Sequence, residues 1–128
     1  MSERKAIETE AAPAALGPYS QALLVGDTLY VSGQLGMTPA GGKPVDGGTA
    51  PQTRQALENV KAILNAAGME MRDVVKVQAF LTDLGDFGTF NEVYQTFFET
   101  PYPARAAVQV GDLPAGAAVE IVVTAVKS

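Results

Sequence analysis

Two charges interrupt otherwise apolar runs. Arg105 stands in Ala104-Arg105-Ala106-Ala107-Val108, and Glu120 in Ala118-Val119-Glu120-Ile121-Val122-Val123. A charge in such a run is half-buried and needs a partner or a ligand. An arginine fork binds a carboxylate through two parallel hydrogen bonds. A carboxylate in an apolar setting can orient a water and accept its proton. The two together fit addition of water to a small substrate that bears its own carboxylate. A structural salt bridge that satisfies two half-buried charges is the alternative, since paired burial is the usual fate of such charges. If the two runs form an antiparallel hairpin centred near Asp112 and Leu113, positions 105 and 120 fall close to opposite on one face. They would then share one environment.

Two more clusters carry weaker signals. Gly17-Pro18-Tyr19-Ser20-Gln21 places an aromatic hydroxyl after a rigid turn, although a packed ring with its hydroxyl at the surface explains Tyr19 as well. Ser32-Gly33-Gln34-Leu35-Gly36 ends a strand with glycines that let a ligand approach the backbone.

These residues need elements to hold them. Ala22–Val25 and Thr28–Gly33 flank Gly26-Asp27 and read as a hairpin with a two-residue turn. Leu29 and Val31 point one way; Thr28, Tyr30 and Ser32 point the other. Residues 37–48 hold four glycines and two prolines and read as a loop, a plain connector or a flap over a site. Pro51 fits the first turn of a helix, apolar residues recur at helical spacing from Ala56 to Ala67, and Gly68 suits the stop. Val75, Val77, Ala79 and Leu81 alternate with Lys76, Gln78 and Phe80, as in a strand with one buried face. Asp86 can cap a second helix, whose stripe of Phe87, Phe90, Tyr94 and Phe97 reads as core. Residues 104–110 and 119–126 are the last two strands. The order is strand, strand, helix, strand, helix, strand, strand. An α+β domain spanning 1–128, with helices on one face of a sheet, is the simplest layering.

Composition narrows the chemistry. Hydrophobic residues make up 47% of the 128 and charged residues 18%, which is globular composition. Without cysteine, thiol nucleophiles and thiolate metal sites are excluded. Without histidine, the commonest general base and zinc ligand are gone. Catalysis is left to carboxylates, Lys, Arg, Tyr, hydroxyls and the backbone. The net charge of −5 and the lack of a dense Lys/Arg run disfavour nucleic acid as a partner. No stretch approaches a membrane span, and Met1–Lys5 leads into no apolar core of signal-peptide type, so a cytoplasmic protein is expected. A chain of this length has little room for a core plus a deep private pocket, which favours a site between subunits.

Taken together, the segments resemble the Rid family of reactive-imine deaminases, also known as the YjgF family, from about Ala11 to Val126. The marks are Gly17-Pro18-Tyr19-Ser20-Gln21, Ser32-Gly33-Gln34, Gln55-Ala56-Leu57-Glu58-Asn59-Val60 and Phe90-Asn91-Glu92-Val93-Tyr94. The most specific is Pro103-Ala104-Arg105 followed by Val119-Glu120-Ile121. The resemblance implies a chorismate-mutase-like fold and a homotrimer with a barrel-like centre and ligands in clefts between neighbours. It implies hydrolysis of 2-imino acids and their enamine tautomers (2-iminopropanoate with 2-aminoacrylate, and 2-iminobutanoate) to 2-keto acids and ammonia. Pyridoxal-phosphate enzymes such as serine and threonine dehydratases would release these imines. By the same resemblance Arg105 holds the substrate carboxylate. Glu120 positions the attacking water and takes its proton. Tyr19 lines the pocket, and Gly33 and Ala107 offer backbone contacts. Asn91 is a further candidate, for binding or for structure. No metal or cofactor is implied, since a protonated imine is already a strong electrophile that needs only orientation and a suitable field. Ala107 departs from the family, where many members carry Cys, which puts thiol-dependent regulation in doubt. The segment Glu99-Thr100-Pro101-Tyr102-Pro103 is shorter than in some relatives and would reshape the cleft mouth.

Three other readings compete. A non-catalytic metabolite-binding trimer would use the same cleft without turnover, yet a binder needs only Arg105. An RNA-cleaving translation inhibitor would lack the familiar histidine acid–base pair and a phosphate track. A holdase would need an exposed apolar patch, which sequence does not reveal.

Overall fold

Alternation of apolar and polar residues builds most of the sheet. The computed structural model describes residues 3–128 and places six strands in it. They are β1 (Arg4–Ile7), β2 (Ala22–Val25), β3 (Thr28–Leu35), β4 (Val74–Leu81), β5 (Ala104–Gln109) and β6 (Val119–Val126). Two α-helices, α1 (Thr49–Ala66) and α2 (Phe87–Tyr94), pack against each other, and α1 also packs on β3 and β6. The expected α+β layering is present.

Most elements lie where the sequence puts them. The β2–β3 hairpin turns through Gly26 at φ 61° and Asp27, and Leu29 and Val31 are buried while Tyr30 is exposed. Helix α1 begins at Thr49, two residues before Pro51. Proline is tolerated there because the first-turn N–H groups have no intrahelical acceptor. The helix ends as expected at Gly68, whose φ of 74° lets Met69 N–H donate back to Leu64 O and Gly68 N–H to Asn65 O. Phe90, Tyr94 and Phe98 are buried, with Phe87 and Phe97 packed on the core edge.

Four expectations need correction. Val75, expected on the buried face of β4, is 46% exposed, and Val74 is buried instead, because the strand is irregular between Val74 and Lys76. Strand β1 was not anticipated, because among its four residues only Ile7 is buried and no alternation marks it. Asp86 stands at the N-terminus of α2, but its side chain does not cap the helix; its Oδ2 instead accepts a hydrogen bond from Thr49 Oγ1 at 3.0 Å. Most consequentially, β5 and β6 do not form a hairpin. The sheet order is β1-β2-β3-β6-β4-β5, with β4 between them. Strand β5 runs parallel to β4 and β6 antiparallel to it. The run β4–α2–β5 is a strand–helix–strand crossover, which joins parallel neighbours.

Candidate active site

Strand β5 lies at the sheet edge and pairs Arg105 with Val77 of β4. Val77 is fully buried, so Arg105 projects from the helix-covered face. Helix α2 lies there. The guanidinium carbon sits 5.2 Å from the Phe87 ring centroid, 5.8 Å from Phe90 and 4.7 Å from Tyr94. Arg105 Nη1 donates to Asn91 Oδ1 at 2.7 Å. The side chain stays exposed on its outer side and lines an open cleft with Asn91, Tyr94, Gln95, Tyr102 and Pro103. Burial holds the Tyr94 phenol above its ordinary range, with Arg105 opposing. Ala107 follows on the same edge strand, half-buried against the core. An edge strand leaves half its backbone N–H and C=O groups facing outward.

Glu120 belongs to another neighbourhood. On β6, Val119, Ile121, Val123 and Ala125 are buried, so Glu120 projects from the opposite, helix-free face. It is in register with Phe80 of β4 and Leu35 of β3. Strand β3 is irregular between Val31 and Gln34, and this break brings Gly33 under the carboxylate. A Cβ on Gly33 would lie 2.5 Å from Glu120 Oε2 and 2.8 Å from Cδ, so only glycine leaves the carboxylate its place. Burial raises the Glu120 pKa above the ordinary carboxylate value. A carboxyl held so is closer to the range useful for accepting a proton near neutral pH.

Tyr19 is carried on an arm latched to the same part of β3. Ser32 Oγ donates to Ser20 O at 2.5 Å, and Ser32 N–H donates to Gln21 O at 2.9 Å. Gln21 is buried and fully used. Its Oε1 accepts from Thr9 N–H, and its Nε2 donates to the carbonyls of Thr9, Ala12 and Pro13. Tyr19 itself is 56% exposed.

The shared environment expected for Arg105 and Glu120 is therefore absent within one chain. They lie on opposite faces of the sheet, separated by β4. The structural salt bridge fails for the same reason; among the described residues the ion pair formed is Arg72–Glu70, at 2.9 Å. The structure brings Arg105 to Asn91, and Glu120 to Gly33 with the Tyr19 arm nearby. Sequence reasoning missed two contributors. The aromatic stripe of α2 is core on one side and a floor for Arg105 on the other. Gln21 is the latch that ties residues 9–13 to the segment leading into β2. The strand–helix–strand order, which sets α2 beside β5, was the available signal for the first. Among the described residues no group of three or more acidic or other ligating side chains converges as a metal set, and no helix is long and apolar enough to cross a membrane.

Known proteins share this arrangement of sequence and fold. Residues 9–127 match the family model described as Endoribonuclease L-PSP. The chain is 54% identical over 124 residues to the 2-iminobutanoate/2-iminopropanoate deaminase of Bos taurus, covering 97% of this chain and 90% of the relative. The crystal structure of RidA from an Antarctic Psychrobacter superposes with a TM-score of 0.92 at 50% identity, covering 96% of this chain and 99% of the other. That of E. coli TdcF with bound serine superposes with a TM-score of 0.91 at 45% identity, covering 97% and 99%. The chain thus belongs to the Rid (YjgF) family, to which the Endoribonuclease L-PSP description is attached.

Proposed function

We propose that this protein hydrolyses reactive 2-imino acids and their enamine tautomers, 2-iminopropanoate with 2-aminoacrylate and 2-iminobutanoate, to 2-keto acids and ammonia. The observation that carries the reading is 54% identity, over nearly the whole length of both chains, to a deaminase of that name. The exposed fork of Arg105 supports a carboxylate-bearing substrate. So does the serine held by TdcF, a small amino acid with the same group.

In this reading Arg105 grips the substrate carboxylate through the N–H groups that Asn91 leaves free. Glu120 orients a water and takes its proton as the oxygen adds to the imine carbon. Glu120 returns that proton to the nitrogen of the resulting carbinolamine, the C–N bond breaks to release ammonia, and the hydroxyl proton passes to water as the carbonyl of the keto acid forms. Tyr19 closes the pocket, and the backbone at Gly33 and Ala107 contacts the substrate. Because the protonated imine supplies its own electrophile, positioning and local field are the enzyme's main contributions.

Arg105 and Glu120 project from opposite faces of one sheet, so a site using both is assembled between copies. A homotrimer in which the helix-free faces pack together meets that need. Its support is the apolar character of that face, where Tyr30, Val108 and Val126 are 53%, 45% and 38% exposed. The imines would come from pyridoxal-phosphate dehydratases in the cytoplasm.

The test is keto-acid release while a threonine or serine dehydratase generates the imine, with semicarbazide as a competing trap. Acceleration that is lost in Arg105→Ala is the expected result. No acceleration by the assembled protein would leave a metabolite-binding role in its place.

A further inference from the structure

Arginine is a long, flexible side chain, and a fork that wanders binds a carboxylate poorly. Arg105 is exposed and, among the described residues, makes one side-chain hydrogen bond, to Asn91 at 2.7 Å. That single bond fixes one nitrogen and leaves the plane of the fork free to turn. Three rings of α2 nevertheless lie within 6 Å of its guanidinium carbon, at 4.7, 5.2 and 5.8 Å. They come from positions 87, 90 and 94, the spacing that stacks side chains along one helix face. The rings touch each other in series, Phe87 to Phe90 at 6.3 Å and Phe90 to Tyr94 at 5.5 Å between centroids. Among the described residues the buried Tyr94 hydroxyl has no hydrogen-bond partner, so this residue is not held in place by its oxygen. Its contact with Arg105 is through the ring face, where the negative quadrupole attracts a cation.

We propose that Phe87, Phe90 and Tyr94 form an aromatic floor that positions the Arg105 fork for its substrate. The floor covers one side of the guanidinium, Asn91 takes one N–H, and the remaining donors face the open cleft. These three are positioning residues, acting through Arg105 and not on the substrate. Asn91 and the floor divide the work: the amide sets rotation within the plane, and the rings set the plane. The inference rests on the reading of Arg105 as carboxylate clamp only for its effect on binding. Its effect on the motion of Arg105 stands independently.

The test uses the intact protein and two measurements. The first is the order parameter of the Arg105 side-chain Nε–H by NMR, in a spectrum simplified by there being only four arginines. The Arg105 signal is identified by its loss in Arg105→Lys. Phe87→Leu, Phe87→Met and Tyr94→Leu remove ring faces, and Phe87 is only partly buried, so its replacements leave the core filled. The order parameter is expected to fall in these variants and to stay at the wild-type value in Tyr94→Phe, which loses only the unpartnered hydroxyl. The second measurement is the Kd of 2-ketobutyrate, expected to weaken by about two- to fivefold for each ring removed. In an Arg105→Ala background Phe87→Leu is expected to have no further effect. An unchanged Arg105 order parameter in folded Phe87→Met would overturn the floor. A floor seen by NMR, with 2-ketobutyrate binding indifferent to Arg105→Ala, would overturn the clamp and leave the floor standing.

Discussion

Gly33→Ala offers a test of whether the position of the Glu120 carboxylate matters to turnover. The added Cβ lies 2.5 Å from Glu120 Oε2, whereas ordinary contact begins near 3.4 Å, so the oxygen has to retreat by about 0.9 Å. The neighbour that must yield is the end of a flexible side chain, and Gly33 is not among the glycines of positive φ. The fold therefore has little reason to suffer, and alanine in place of glycine stabilises a compatible site by ~0.4–1 kcal/mol. A hydrogen bond of normal length does not survive a shift of this size, and a misplacement of ~1 Å costs ~10²-fold in rate. Turnover is expected to drop by about 10- to 100-fold, with the melting temperature unchanged or slightly higher. The assay is 2-ketobutyrate release from dehydratase-generated imine, paired with thermal unfolding. Gly36→Ala is the contrasting control. There the Cβ meets the Cα and carbonyl oxygen of Gln52 in α1, each at 2.5 Å. Backbone cannot swing aside, so this variant is expected to lose ~1–3 kcal/mol of stability. Wild-type turnover by a well-folded Gly33→Ala would refute the assignment of Glu120 as the residue that positions water.

Four more outcomes follow from the same geometry. Arg105→Lys keeps the charge but loses the fork, and kcat/KM is expected to fall about 10- to 100-fold, as for loss of one charge-assisted hydrogen bond; near-normal turnover would dismiss the clamp. The pKa of Glu120 is raised in the folded state by burial, so its protonated form is stabilising below the unfolded pKa and this contribution is lost as pH rises through the folded value. Glu120→Gln is accordingly expected to melt higher than the wild type at neutral pH, to match it at acid pH, and to be inactive; the wild type should lose activity as pH falls through a value above the ordinary carboxylate range. Charges placed on the helix-free face, as in Tyr30→Glu with Val108→Glu, are expected to convert a trimer into folded, inactive monomers in sedimentation or light scattering; an active monomer would rule out a site between copies. RNA is expected neither to bind at moderate salt nor to be cleaved, and salt-sensitive binding that survives Arg105→Ala would reopen the nucleic-acid reading.

The apolar periodicities were enough to locate the β2–β3 hairpin, helix α1, strands β4 and β6, and the buried stripe of α2. Each is a local property: side-chain alternation needs only one strand, and a helical stripe only one helix. The candidate residues were legible for a related reason. A charge such as Arg105 or Glu120 is conspicuous in an apolar run, and a glycine such as Gly33 inside a strand is conspicuous without any partner in view. Strand β1 escaped because its one buried residue makes no pattern.

What the chain could not disclose was who neighbours whom. Alternation assigns a residue to one of two faces, but not to a strand partner or a direction. Residues 104–126 therefore looked like a hairpin, and Arg105 and Glu120 like a pair. Tertiary structure inserted β4 between their strands and turned the two side chains to opposite faces. It also converted the α2 stripe into a support for Arg105, and Gly33 into the space that Glu120 occupies. These are non-local facts, set by packing among segments far apart in sequence, whereas the residue types that make the chemistry conceivable were present in the sequence from the start.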